Sequence, residues 1–249
     1  MGTLCFTVFI SSLAGPAFGQ KRTDPKEHLK YQRCILLSKT DPDAAFDMSL
    51  AWQDFGGGEA AGHCIAAALV GLKIYNEAAL RFETLAQSSR NDAPVRAGML
   101  SQAAQAWLLD GNLERAQSVL NAAILIQPDD PQLYVDRAVV YAEMKKFKEA
   151  IQDLSAALKR DQTLVDGYVF RASAYRRLKK LTPATSDIEQ ALRLDPKHSA
   201  GLLERGILRR IAGDKVGARK DWLHILKIAP GTPAAQSAQS NLEKMDVKK

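Results

Sequence analysis

The run GHCIAAAL, residues 62–69, places His63 directly before Cys64 in an apolar stretch. A histidine beside a cysteine can activate a thiol nucleophile, and both side chains are also metal ligands. On a helix, however, adjacent side chains point about 100° apart, which disfavours a nucleophile–base contact. No metal-ligand spacing links either candidate cysteine to the remaining histidines, which are His28, His198 and His224. The pattern therefore favours a structural role for Cys64, as a disulfide partner or as a buried thiol.

No other catalytic signature appears in the sequence. The glycines at 56–58 lack the GK[ST] ending of a phosphate-binding loop, and HExxH, GxSxG and CxxC are absent. We therefore predict a protein that is not an enzyme, with no catalytic residue, no metal site and no cofactor.

The first residues are typical of an export signal. An apolar core runs from Leu4 to Leu13 and is too short for a membrane span, which needs roughly 20 apolar residues. Ala17 and Gly19 supply the small residues that precede a cleavage site. We predict a signal peptide over residues 1–19, cleaved near Gly19, and a mature periplasmic chain that begins with a flexible polar segment, 20–26. Because no Lys or Arg precedes the core, an uncleaved inner-membrane anchor is the alternative.

Export bears on the cysteines. Removal of residues 1–19 takes away Cys5 and leaves Cys34 and Cys64, which is an even number. Exported proteins commonly pair their cysteines. The predicted compartment therefore favours a disulfide over two buried thiols.

A repeat of 34 residues organises most of the chain. Apolar residues make up 46% and aromatic residues 7%, and alanine recurs at packing positions, which predicts an all-α fold. The stretch YVDRAVVYAEMKKFKEAIQDL from Tyr134 aligns with YVFRASAYRRLKKLTPATSDI from Tyr168. The register continues in both directions and defines four contiguous units, residues 97–130, 131–164, 165–198 and 199–232.

These units resemble the tetratricopeptide repeat (TPR) family, of an exported bacterial type, whose motif is a helix–turn–helix of this length. The family's small residue on the first helix is matched by Ala104, Ala138, Ala172 and Gly206. Its alanine on the second helix is matched by Ala116, Ala150, Ala184 and Ala218. The resemblance implies a right-handed α-solenoid of antiparallel helix hairpins, the TPR superhelix.

Less regular segments flank the four units. Residues 27–96 are interpreted as degenerate TPR-like hairpins, with residues 93–96 lengthening a second helix, and residues 233–249 as a capping helix and tail. The family packs the first helices of adjacent hairpins side by side, and Cys34 and Cys64 fall on such helices. The resemblance therefore implies a disulfide between them.

Three units carry a matched pair of charges, an arginine and an aspartate sixteen residues later. The pairs are Arg137 with Asp153, Arg171 with Asp187, and Arg205 with Asp221. The preceding unit has Ala103 and Val119 instead, so both partners are lost together. We interpret the pairs as structural ion pairs and not as catalytic acids.

In this family the first helices line a concave surface, so the resemblance implies a protein-binding groove. The matching positions are Gln102, Gln105, Val135, Val139, Val169, Ser173, Arg176, Arg177, Leu203, Ile207 and Arg210. They predict an exposed apolar floor, with Arg176 and Arg210 as a basic ladder at its edge. Some members hold a peptide's C-terminal carboxylate with Lys, Asn and Arg, and that set is absent. Its positions here carry Val135, Val139, Asp166, Phe170 and Glu204.

Charge is unevenly distributed along the chain. Residues 165–249 contain 17 Lys and Arg against 9 acids, whereas residues 20–164 contain 17 against 19. We therefore predict an exported scaffold or adaptor that binds a protein or peptide segment in its groove. The groove arginines would orient an acidic partner. One alternative is self-association as a component of the cell envelope. Another is binding of the basic half to an anionic membrane or to nucleic acid, and nucleic acid is disfavoured by the export signal.

Overall fold

Thirteen α-helices and no strand form within residues 25–246, which are the residues described by this computed structural model. The helices are α1 Pro25–Thr40, α2 Pro42–Asp54, α3 Gly58–Gly71, α4 Tyr75–Ser88, α5 Ala93–Asp110, α6 Leu113–Ile126, α7 Pro131–Glu143, α8 Phe147–Arg160, α9 Val165–Arg177, α10 Leu181–Leu194, α11 Ser199–Ile211, α12 Lys215–Ile228 and α13 Pro233–Asp246. Packing of α1 on α2, α3 on α4, α5 on α6, α9 on α10 and α11 on α12 gives the hairpins. The predicted all-α fold of helix hairpins is confirmed.

Residues 1–24 and 247–249 lie outside the described residues. The predicted signal peptide, Cys5 and most of the polar segment 20–26 fall there. No helix between residues 25 and 246 combines the length and the apolar character needed to cross a bilayer.

The turns inside the hairpins need a left-handed residue at one repeated position. Gly111 and Gly213 have φ angles of 85° and 89°, which glycine adopts without steric cost. The following residue, Asn112 or Asp214, then caps the second helix, and Asp214 Oδ1 accepts from the Gly217 N–H at 2.8 Å. Asn112 and Asp214 thus fix the beginnings of α6 and α12.

The described residues form two compact units, 25–140 and 141–246, and the division falls within α7. In the second unit, α13 packs on α12 and α11 and buries Ala238 and Leu242. Thr232 Oγ1 accepts from the Ala235 N–H at 3.2 Å and caps this last helix. Thus α13 covers apolar surface that the last hairpin would otherwise expose.

Residues 93–96 begin α5 and do not lengthen α4, so that prediction is wrong. The helix α4 ends at Ser88 because Ser89 turns to extended backbone, and its hydroxyl donates to Glu59 Oε2 at 2.9 Å. Asn91 Nδ2 donates to the same oxygen at 2.5 Å. Pro94 then lies in the first turn of α5, where the missing N–H costs nothing.

Candidate binding surface

The cysteine of the GHC stretch is bonded to another cysteine. Cys64 on α3 forms a disulfide with Cys34 on α1, with Cα atoms 6.1 Å apart and a sequence separation of 30 residues. Both cysteines are fully buried. A disulfide sulfur carries no thiol, so Cys64 is not a nucleophile in this structure. No three His, Cys, Asp or Glu side chains in the described part of the chain are grouped as metal ligands.

His63 connects three first helices through hydrogen bonds. Its Nε2–H donates to Gln102 Oε1 on α5 at 2.6 Å, and the Tyr31 hydroxyl on α1 donates to Nδ1 at 3.1 Å. Burial lowers the pKa of His63 to about 4, although the bond to Gln102 opposes the shift. The imidazole is therefore neutral near pH 7 and acts as a polar connector within the core of residues 25–140.

Two of the arginine–aspartate pairs lie in the second unit and are in contact. Arg171 Nε and Nη2 donate to the two carboxylate oxygens of Asp187, each at 2.8 Å. Arg205 contacts Asp221 in the same way at 3.0 and 2.7 Å. Both aspartates are buried. Bidentate contacts of this kind fix the second helix of a hairpin against its first helix.

Arg137, the third predicted arginine, contacts α6 within residues 25–140. Arg137 Nη1 donates to Asn121 Oδ1 at 2.8 Å, which ties α7 to the preceding second helix, α6. The same link recurs one repeat later, where Arg171 Nη1 donates to Ser155 Oγ at 3.1 Å. Arg137 and Arg171 thus each contact the second helix of the preceding repeat.

Four residues predicted to form an exposed groove floor are buried, so the expectation of exposure is wrong for them. Their exposed fractions are 3% for Val135, 4% for Val169, 6% for Ser173 and 9% for Ile207. Val169 and Ile207 belong to the hydrophobic core of residues 141–246. Their side chains fill the space between helices, because small neighbours such as Ala172 allow the helices to approach closely.

The remaining groove candidates outside the arginines differ in exposure. Val139, Leu203 and Gln105 are half-buried, whereas Gln102 is buried and holds His63. The surface presented by the first helices is therefore less apolar than the sequence predicts.

Arg176 is already occupied by an internal partner. It pairs with Glu204 on α11, through a short contact from Nε and a bond from Nη2 to Oε2 at 3.2 Å. Ser173 Oγ accepts a further bond from Nη2 at 3.3 Å. Burial raises the pKa of Glu204, and the positive charge of Arg176 opposes that shift. The predicted basic ladder therefore loses Arg176, because its charge is neutralised inside the protein.

Arg177 and Arg210 keep their guanidinium groups at the surface. Arg177 lies over the ring of Phe147, with its Cζ 5.1 Å from the ring centroid, and Arg210 lies 5.8 Å from the Trp222 ring. Both arginines are exposed. Exposed contacts of a cation with an aromatic ring are worth only about 0.5–1 kcal/mol, so either arginine can turn to an incoming anion.

Asp136 on α7 is a half-buried acid that the sequence patterns do not reveal. Ser101 Oγ donates to its Oδ2 at 2.5 Å and Gln132 Nε2 donates to its Oδ1 at 2.8 Å, with Gln105 as a third donor. Burial raises the pKa of Asp136, and the negative charge of Asp130 adds to the shift, while the three hydrogen bonds oppose it. Among the described residues, every side chain that donates to this carboxylate is neutral.

Sequence reasoning also missed Glu83, in the hairpin before the four regular units. Trp107 Nε1 donates to Glu83 Oε1 at 2.6 Å, and Arg115 Nε donates to the same oxygen at 3.1 Å. Glu83 is 5% exposed and follows Phe82 on the apolar face of α4. An acid on an apolar face requires a buried partner, and that signal could have predicted the contact.

The fold and this surface define an all-α repeat protein whose polar side chains bind one another between successive helices. Tetratricopeptide repeat models match residues 108–172 and 165–198. The chain therefore contains tetratricopeptide repeats over residues 108–198. No curated protein matches it.

Solved structures of tetratricopeptide repeat proteins have the same fold. PilF of Pseudomonas aeruginosa is 17% identical, with a TM-score of 0.60, 87% of this chain covered and 99% of that chain. MamA of Desulfovibrio magneticus RS-1 is 17% identical, with a TM-score of 0.54 and coverages of 78% and 98%. YrrB, described as a TPR protein with an unusual peptide-binding site, is 17% identical, with a TM-score of 0.52 and coverages of 76% and 97%. At this identity the similarities establish the fold.

Proposed function

We propose that this chain is a non-enzymatic adaptor that binds a protein or peptide segment on the face of its first helices. The observation that carries the proposal is the exposure of two cations, Arg177 and Arg210, on the first helices α9 and α11. The tetratricopeptide repeats support it, as does the peptide-binding site described for YrrB. His63 and Cys64, the adjacent residues that resemble a base and a nucleophile, both lie in the core. Cys64 is in a disulfide and His63 is buried.

An acidic segment is the partner that suits the second unit. Arg177 and Arg210 supply positive charge to the partner, and the half-buried Leu203 on α11 supplies an apolar contact. Charges at the edge of an interface act mainly on orientation and association rate, and the apolar contacts hold the complex.

Export to the periplasm belongs to the same proposal. The disulfide between Cys34 and Cys64 supports it, because disulfides persist in oxidising compartments. We expect the chain in the periplasmic fraction, with Gln20 as its first residue when the N-terminus is sequenced. A reduced chain in the cytosol that retains residues 1–19 would contradict this part of the proposal.

The adaptor role is tested by site-specific photo-crosslinking in the cells that produce the protein. A photoreactive residue in place of Arg210 should capture a discrete partner, whereas one in place of Lys220 on the second helix α12 should not. Charge reversal by Arg177→Glu should reduce the capture several-fold, because an acidic partner is then repelled. The matched reversal Lys227→Glu on α12 should leave it unchanged. Capture of only a second copy of this chain would replace the proposal with self-assembly.

A further inference from the structure

Two acids occupy the same position in different repeats but have different hydrogen-bonding partners. Asp136 is the sixth residue of the unit 131–164, and Glu204 is the sixth residue of the unit 199–232. Both lie on first helices, α7 and α11, and burial raises the pKa of both. A buried carboxylate is costly to ionise unless a cation or strong donors compensate its charge.

At Glu204 the compensating cation comes from the preceding repeat. Arg176, twenty-eight residues earlier, reaches both carboxylate oxygens, and Ser173 contacts the same guanidinium. The side chains of Arg176 and Glu204 are only 11% and 5% exposed. The repeat geometry therefore provides a place for a guanidinium beside an acid at the sixth position.

At Asp136 the equivalent place is occupied by an apolar residue. The residue twenty-eight positions before Asp136 is Leu108, which cannot neutralise a carboxylate. Polar residues appear around Asp136 at positions that are small or apolar around Glu204, because Ser101 and Gln132 correspond to Val169 and Ala200. These neutral donors hold the carboxylate in position and leave its charge uncompensated.

We propose that Asp136 is the binding site for a cationic side chain, lysine or arginine, of the segment that the first helices bind. The incoming cation takes the role beside Asp136 that Arg176 takes beside Glu204. This inference rests on the proposed function and adds to it the chemistry of one partner residue. The basic residue belongs to the part of the segment that meets α5 and α7, and it forms an ion pair with Asp136.

Asp136 and the residues that donate to it are partly exposed at the surface. Asp136, Ser101 and Gln105 are each half-buried, and Gln132 is exposed. Burial by the surrounding protein atoms raises the pKa of the carboxyl group. A single carboxylate with hydroxyl and amide groups is a poor site for Ca²⁺ or Mg²⁺, which require several oxygen ligands in a fixed geometry. It is sufficient for the N–H donors of one lysine or arginine.

The test selects peptides from a phage-displayed random library on the full oxidised chain. We expect the selected peptides to share a lysine or arginine at one position. Replacing that residue with glutamine should weaken binding about tenfold or more on the unmodified chain and have little effect on Asp136→Asn. Leu108→Arg should also abolish the preference for a basic residue, because it supplies the internal cation.

Controls separate this inference from the adaptor proposal. Glu114→Gln removes an exposed negative charge from the preceding repeat, residues 97–130, and should leave binding unchanged. Selected peptides that bind with no basic preference, or whose basic residue matters equally on Asp136→Asn, would overturn the role of Asp136 and leave the adaptor proposal standing. Failure to select any peptide above an unrelated control protein would overturn both. Circular dichroism of each variant confirms that it is folded before binding is compared.

Discussion

Trp222 on α12 packs so closely against Gly206 on α11 that a Cβ on residue 206 would overlap the indole ring. The other units have alanine at the position of Gly206 and leucine or isoleucine at the position of Trp222, as in Ala172 with Ile188. In the last unit, the first helix therefore carries a smaller residue, Gly206, and the second helix carries a larger one, Trp222. The space between the helices of this hairpin is filled in both cases.

This exchange predicts a non-additive pair of substitutions. Gly206→Ala should destabilise the protein by about 1–3 kcal/mol, because the added methyl group overpacks the contact with Trp222. Trp222→Leu alone should destabilise it by about 3 kcal/mol or more, because it leaves a cavity. The double variant restores the pattern of the other units. Its destabilisation should therefore be smaller than the sum of the two single destabilisations. Urea denaturation of the four proteins measures the coupling, and strict additivity would contradict the packing argument.

The neutral state of His63 predicts that stability falls in mild acid. Its folded pKa of about 4 lies below the unfolded value near 6.5, so the unfolded chain binds the proton first. The contribution is fully present above pH 6.5 and is lost as the pH falls towards 4, to a total of about 3 kcal/mol. Denaturation midpoints at pH 7.5 and 4.5 measure this loss.

His63→Gln is the control for that pH dependence. The variant lacks the edge contact of the imidazole with Phe82, so its stability at pH 7.5 should be lower. Its loss between pH 7.5 and 4.5 should nevertheless be smaller than that of the unmodified protein. Asp136 and Glu204 have raised pKa values and titrate in the opposite sense, and both proteins share that contribution. An equal acid loss in both proteins would show that His63 is not the group responsible.

The disulfide predicts a stability that depends on redox state. Cys34 and Cys64 close a loop of 30 residues, which the loop-entropy relation values at about 3–4 kcal/mol. Thermal unfolding with dithiothreitol should therefore begin at a lower temperature than unfolding without it. The variant Cys34→Ala/Cys64→Ala should unfold at the same temperature under both conditions. If reduction leaves the unmodified protein unchanged, the bond does not form in solution.

Much of the fold could be predicted because the repeat is a one-dimensional pattern. Small residues such as Ala172 recur every 34 residues where helices approach, and left-handed glycines such as Gly111 mark the turns. Each hairpin contacts its neighbours in the same way, so the register of one unit indicates the helices of the next. The end of α4 could not be predicted from the repeat pattern. Glu59, thirty residues before Ser89, binds the segment that follows α4.

The binding surface was harder to predict because exposure depends on neighbouring hairpins. Arg176 and Arg210 share a repeat position, yet Arg176 meets Glu204 in the next unit and Arg210 remains exposed. The link between His63 and Gln102 likewise spans 39 residues and follows no repeat period. Such contacts combine two side chains from different units, and a pattern read one position at a time does not reveal them.

The ion pair between Arg171 and Asp187 predicts opposite effects for single and double substitutions. Asp187→Val leaves the half-buried guanidinium without its carboxylate and should destabilise the protein by about 3 kcal/mol. Adding Arg171→Ala reproduces the residues Ala103 and Val119, which stand at these positions in the first regular unit. The double variant should recover part of the loss, because no unpaired charge is left in the core.

Chemical denaturation of the single and double variants decides between this account and a purely steric one. As a control, a core truncation in the other compact unit, Phe82→Ala, should add its full effect to that of Arg171→Ala. Recovery in Arg171→Ala/Asp187→Val relative to Asp187→Val would identify the unpaired charge as the source of the destabilisation. A double variant less stable than Asp187→Val would instead mean that Arg171 stabilises α9 mainly through its bond to Ser155 and the packing of its side-chain methylenes.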